Sequence, residues 1–273
     1  MPTQAELADQ FLALHRRGDP LLLMPNAWDV GSAVLLASLG FEALATTSGG
    51  FAASKGRLDG AMTGAEVIGH TKELAAATDL PLSADLENCF AHDPEGVART
   101  ALAAIDAGVA GFSVEDFTGN DKDPIYALDL ATERVRAAAE AAHDETRHIV
   151  VTARAENYLH GRTDLADTIA RLQAYQEAGA DVLFAPRVDD AAELAQLLGA
   201  VDLPVSVLAG PNAPNVAELA ELGVSRISTG GALAVAAYGA LVNAATELKE
   251  HGTYGYWDLT KSGGRAVRAA FTR

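Results

Sequence analysis

A chain of 273 residues with 37 Asp and Glu against 20 Lys and Arg, a net charge of −17 and a pI near 4.7, is poorly suited to nucleic acid, whose phosphates demand a basic face. A single cysteine, Cys89, excludes an intrachain disulfide and any multi-thiolate metal site, and suits a reducing compartment. With 49% hydrophobic residues and a mean hydropathy of +0.10 the chain is able to bury one large core. Short apolar β-type runs then alternate with alanine-rich segments of helical period. In chain order the predicted strands are 21–24, 43–47, 80–84, 111–114, 149–153, 182–185, 204–208 and 225–228. The predicted helices are 30–39, 64–77, 94–107, 130–142, 165–178, 191–198, 215–222 and 232–249.

Eight such units predict an α/β fold of the (β/α)8 TIM-barrel type, a single domain over residues 1–273. Several helices end in the same punctuation, as in Leu39-Gly40, Ala107-Gly108, Ala178-Gly179 and Leu222-Gly223, where glycine takes the left-handed cap without steric penalty. A doubly wound open sheet would carry a glycine fingerprint after its first strand, whereas this chain reads Pro25-Asn26-Ala27-Trp28-Asp29 there. The longest apolar helical stretch, 231–248, is broken by Tyr238, Asn243, Thr246 and Glu247 and falls short of a membrane span. The first residues have no basic and then apolar leader, so a soluble, cytoplasmic protein without a membrane partner is expected. Residues 252–273 form a C-terminal tail, expected to be a helical extension that packs on a neighbouring subunit of a homo-oligomer, a dimer or tetramer.

The reacting groups of such a barrel sit on loops at the carboxyl ends of its strands. Asp85 and Glu87 follow the third predicted strand, Glu115 and Asp116 the fourth, and Arg154 and Glu156 the fifth. Alternate strand residues face the same way, so Asp85 and Glu87 are expected to reach the mouth together while Leu86 packs outward. Asp85, Glu87 and Glu115 suit a hard divalent cation, and magnesium typically touches one or two carboxylates while keeping its waters. The alternative for these acids is ion pairing with Arg154 or helix capping. Arg154 is able to grip a carboxylate through two parallel hydrogen bonds. The run Thr46-Thr47-Ser48-Gly49-Gly50 offers hydroxyls and unhindered N–H groups to an oxyanion, or is simply a glycine turn. Ser228-Thr229-Gly230-Gly231 occupies the place where many barrels bind phosphate. His92 and His160 read as solvated loop residues, and Cys89 as an inert packed thiol.

Taken in order, Pro25 to Asp29, Thr46 to Gly50 followed by Gly56-x-x-Asp59, Asp85-x-Glu87, Val114-Glu115-Asp116 and Thr152-Ala153-Arg154 resemble the isocitrate lyase/phosphoenolpyruvate mutase superfamily over most of the chain. The resemblance implies a barrel that binds Mg²⁺, with Mn²⁺ as a substitute, together with a small carboxylic acid. It places Asp85 as the direct metal ligand, with Asp59, Glu87 and Glu115 as outer ligands through water. Trp28, Ser48, Gly49, Gly50, Asp85 and Arg154 would bind substrate, Ser48 and Arg154 also serving catalysis. The chain departs from the isocitrate and methylisocitrate lyases in the loop after the fourth strand. Their Lys-(Lys/Arg)-Cys-Gly-His is replaced here by Phe117-Thr118-Gly119-Asn120-Asp121-Lys122-Asp123-Pro124, without a cysteine. Glu87 stands where aspartate is usual, and Ala185-Pro186-Arg187 where those relatives place a glutamate or histidine.

What the resemblance implies is an Mg-dependent carbon–carbon lyase or decarboxylase acting on a 2-oxo or 2-hydroxy acid through an enolate. The loop 118–126 would close over the site, with Asn120 or Lys122 touching the departing group. A phosphonopyruvate-type P–C mutase or hydrolase is the alternative, but a phosphonate calls for extra cations near the gate, where only Lys122 and Arg187 are evident. A third reading is a barrel that binds an oxo acid without turning it over.

Overall fold

The computed structural model describes residues 2–16, 20–144 and 147–272. Its strands are β1 (Leu22–Met24), β2 (Asn26–Ala27), β3 (Leu44–Thr46), β4 (Leu82–Asp85), β5 (Gly111–Glu115), β6 (Val150–Arg154), β7 (Val182–Phe184), β8 (Val205–Leu208) and β9 (Arg226–Ser228). All pair in parallel in the order β1-β9-β8-β7-β6-β5-β4-β3-β2. β1 and β2 are two halves of one barrel strand interrupted at Pro25, which has no N–H for the ladder. The first half pairs with β9 and the second with β3, so the break is also where the barrel closes. The Pro25 carbonyl still accepts from the Ala45 N–H at 3.0 Å. The predicted first strand therefore ends one residue before the break and omits its second half.

Helices α2 (Val30–Ser38), α4 (Gly64–Ala75), α5 (Pro94–Asp106), α6 (Leu128–Ala142), α7 (Leu165–Glu177), α8 (Ala191–Ala200), α9 (Val216–Leu222) and α10 (Ala232–His251) are the helices of the repeating units. Apolar side chains on the outer faces of the strands, such as Phe112, Val151, Val205 and Ile227, pack against them in the largest core cluster. Two helices lie outside the predicted set, α1 (Gln4–Ala13) and α3 (Ser48–Ser54), while α11 (Trp257–Phe271) is the helix expected in the C-terminal tail. α1 begins at a Thr3/Glu6 capping box and brings Phe11 into the barrel floor. The floor is tight, since a Cβ on Gly111 would lie 2.7 Å from the Phe11 ring. α11 packs on α2 of its own chain, with the Phe271 ring 3.8 Å from where a Gly31 Cβ would stand. Among the described residues, no helix is long and apolar enough to cross a membrane.

Candidate active site

A cavity of about 460 Å³ opens at the carboxyl ends of the strands, and Ser48, Gly49, Asp59, Asp85 and Arg154 line it. The run after β3 turns out to be the first turn of α3, not an open glycine loop. Thr47 caps that helix by accepting from the Gly50 N–H at 3.3 Å. The Ser48 N–H then donates to Asp85 Oδ2 at 2.9 Å, and the Asp85 N–H donates to Thr46 Oγ1 at 2.8 Å. Close packing favours glycine at Gly49 and requires it at Gly50. A Cβ on Gly49 would press on Asp59 Oδ2 at 3.1 Å, and one on Gly50 would stand 2.6 Å from Thr47 Cγ2 and 2.9 Å from Trp28 Cβ. Trp28 is thus packed behind Gly50 and, like Gly50, is not in the cavity lining.

Arg154 ends β6 with each of its nitrogens on a different acid: Nη1 on Asp85 at 3.0 Å, Nη2 on Glu115 at 3.0 Å and Nε on Glu156 at 2.9 Å. The predicted carboxylate clamp is in this state the centre of an ion-pair network, with further N–H groups left for a ligand. Glu87 completes the acidic cluster from just beyond β4. Its φ of 52° turns the chain into the left-handed region, and its carbonyl accepts from the Glu115 N–H at 3.1 Å. Burial first, and then the charges of Asp85 and Asp59, push its carboxyl up to about 7. Burial also raises Glu115 well above the usual carboxylate range, against the pull of Arg154. One arginine among four carboxylates leaves surplus negative charge. Glu87 Oε1 is buried with no hydrogen-bond partner. An all-oxygen donor set with an orphaned buried carboxylate atom fits a hard divalent cation.

Asp116, next to Glu115 in sequence, leaves the site because successive strand residues face opposite ways. It accepts from Tyr175 Oη at 2.6 Å, Arg171 Nη1 at 3.2 Å and the Glu156 N–H at 2.8 Å. Asp29 caps α2, accepting from the Ser32 N–H at 2.7 Å. The turn after β9 offers N–H groups to Asn26 rather than to phosphate: Asn26 Oδ1 accepts from the Thr229 and Gly230 N–H groups, each at 2.9 Å. Asn120 and Lys122 stand apart from the cavity on an exposed loop pinned by a Phe117–Ile125 bridge and an Arg162–Asp123 contact of 3.4 Å. His92 Nδ1 meets Tyr126 Oη at 2.5 Å, and His160 stacks on Phe117 at 3.9 Å. Burial pushes the Cys89 thiol up to about 12, as an inert side chain requires.

Glu156, read from the sequence at the same strand end as Arg154, is paired with it through Oε1. Two features escaped the sequence. Arg226, an arginine inside an apolar strand run, is buried and lines the cavity. His143, His148 and Asp181 gather where α6 leads into β6 and α7 into β7, at the amino ends of the strands, with Asp181 contacting the two rings at 3.0 and 2.6 Å. Their ligand atoms all lie within 4.8 Å of one another, close enough to hold a metal ion, and no short spacing motif announces them.

The sequence profile of the phosphoenolpyruvate phosphomutase family matches residues 11–249. A solved Burkholderia cenocepacia J2315 protein, provisionally described as a lyase or mutase, superposes with a TM-score of 0.93 at 49% identity, over 99% of this chain and 97% of that one. The 2-methylisocitrate lyase of Bacillus subtilis strain 168 is 32% identical over 213 residues, 74% of this chain and 67% of the relative. Oxaloacetate acetylhydrolase with its product oxalate has a TM-score of 0.84 at 25% identity, over 93% of this chain and 90% of that one.

Proposed function

The chain belongs to the phosphoenolpyruvate mutase/isocitrate lyase superfamily, and from that premise we propose that it is a Mg-dependent lyase or decarboxylase for a small 2-oxo or 2-hydroxy carboxylic acid. The observation that carries this reading is Asp85 held between the Ser48 N–H and Arg154 at the wall of the cavity, with Glu87 and Glu115 behind it. Asp85 would ligate Mg²⁺ directly, Asp59, Glu87 and Glu115 would hold its waters, and Mn²⁺ would substitute. When bound, the ion supplies Lewis-acid polarisation of the acid's oxygens. Arg154 grips the carboxylate, and Ser48 and Gly49 at the start of α3 face the oxygen on which charge develops as the adjacent bond breaks. The loop carrying Asn120 and Lys122 swings over the mouth of the cavity to close it and exclude water.

The methylisocitrate lyase and oxaloacetate acetylhydrolase relatives favour carbon–carbon cleavage, whereas the family profile itself is named for a P–C enzyme. Among the described residues, no cluster of cations gathers around Asn120 and Lys122, which supports the carboxylic acid. Homo-oligomerisation is part of the proposal, supported by Val235, Leu241 and Val242 of α10 and Trp257 and Leu259 of α11, each 59–65% exposed. So is a cytoplasmic location. The test is a coupled assay for pyruvate or glyoxylate release over oxaloacetate, substituted malates and phosphonopyruvate, with and without EDTA. Release from a carboxylic acid that stops with EDTA is expected; EDTA-indifferent turnover refutes the metal, and turnover of phosphonopyruvate alone refutes the carbon–carbon assignment.

A further inference from the structure

Arg226 is only 3% exposed, yet it belongs to the wall of the cavity. Its Nε donates to Ser206 Oγ at 2.9 Å, and its Nη1 lies 3.2 Å from Thr152 Oγ1 and 3.0 Å from His15 Nε2. All three partners are neutral. Burial pushes His15 down to about 3, so the imidazole brings no opposing charge, and burial followed by the nearby Arg154 holds Arg226 itself down at about 9. Among the described residues, no carboxylate lies within ion-pairing distance of Arg226, and its Nη2 donates to no protein atom. The other buried arginines differ. Arg154 and Arg171 face acids, and Arg134 is spent on the carbonyls of Asn88, Ala91 and His92.

A buried, uncompensated cation is costly, and a barrel interior is usually filled by aliphatic side chains instead. Thr152, to which Arg226 is tied, stands two residues below Arg154 on the same face of β6, roughly 7 Å along the strand. The two guanidiniums therefore sit on successive levels of one cavity, the upper neutralised by acids and the lower not. We propose that Arg226 is a second anion anchor that receives the far carboxylate of a dicarboxylic substrate whose 2-oxo acid end lies at Asp85, Ser48 and Arg154. This rests on the reading of the site as an oxo-acid pocket. It narrows the substrate class to short diacids over monocarboxylates, and makes Arg226 a residue of specificity rather than of bond breaking.

The test is calorimetric titration, in Mg²⁺, of two ligands into the full chain: oxalate, which occupies only the upper level, and 3,3-difluorooxaloacetate, a four-carbon 2-oxo diacid. In Arg226→Gln the diacid is expected to weaken about 30-fold, in the range of a lost charge-assisted contact, while oxalate stays within about twofold. Arg226→Lys, which keeps the charge, should recover part of the diacid affinity and serves as a second folded variant, with thermal melts run on both. If the glutamine variant weakens both ligands equally, or neither, the anchor is overturned while the oxo-acid site stands. If the wild-type protein binds neither ligand, the site reading itself falls and takes the anchor with it.

Discussion

Arg154 faces Asp85, Glu115 and Glu156 on the wall of the cavity, whereas Arg171, on α7, bonds Asp116, Asp167 and the carbonyl of Tyr126 behind the barrel wall. Both are largely withdrawn from solvent and both are ion-paired, so neither property separates function from structure. The balance of the surroundings does. Asp116 is satisfied by Arg171, the Tyr175 hydroxyl and the Glu156 N–H, while Tyr126 is fixed from both sides because its own N–H donates to the Asp116 carbonyl at 2.9 Å. Around Arg154 the acids outnumber the cation, Glu87 Oε1 has no partner, and burial holds the Glu87 and Glu115 carboxyls above their usual range. A closed network locks a loop; an open one with surplus charge is completed by what binds.

Substitutions separate these two networks. The largest effect is expected from Asp85→Ala, which removes the partner of Ser48 and Arg154 and should lower turnover by about 10³-fold or more, with the melting temperature little changed. Steady-state assays alongside thermal melts check this, and a melt collapse with activity per folded molecule intact would assign Asp85 to structure. Arg171→Met should do the reverse, because it strands Asp116 in the interior: about 3–5 kcal/mol of stability lost in denaturant unfolding, with activity near wild type wherever the chain stays folded. Next comes acid sensitivity at the barrel floor. His15 is held neutral with its pKa near 3 against an ordinary 6.5, so the unfolded chain takes up a proton first. Stability is full above about pH 6.5 and falls toward pH 3 by about 1.4 kcal/mol per pH unit for that one group. His15→Gln should flatten that slope, which pH-dependent unfolding measures. The smallest effect is expected from Lys122→Ala, about tenfold in kcat with Mg²⁺ affinity unchanged, since its loop touches the site only on closing.

The barrel was legible because its strands are apolar runs that end in polar residues, several of them following a glycine-capped helix, a pattern that local chemistry imposes. The membership of the acid cluster was legible too, since Asp85, Glu115 and Arg154 each end a strand and the strands are neighbours. The break at Pro25 and the helical start at Ser48 were not: a seven-residue helix beginning Ser-Gly-Gly has too short a period to distinguish from a turn. Asp116 and Glu115 look alike in sequence, and only the pleat sends them to opposite sides of the wall. The position of Asn120 and Lys122 depends on the pairing of Phe117 with His160 and Asp123 with Arg162, contacts between distant segments that no local pattern encodes.

Among the described residues, metal ligands are offered by the acids around Asp85 at the carboxyl end of the barrel and by the His143, His148, Asp181 group at the other end. The most direct test of the account is the binding of Mn²⁺, as a paramagnetic stand-in for Mg²⁺, followed by electron paramagnetic resonance on wild type, Asp85→Ala and His148→Ala. One bound ion per chain, lost in Asp85→Ala and retained in His148→Ala, is the result expected. Binding that survives in Asp85→Ala and disappears in His148→Ala would contradict a metal-assisted oxo-acid site in the cavity.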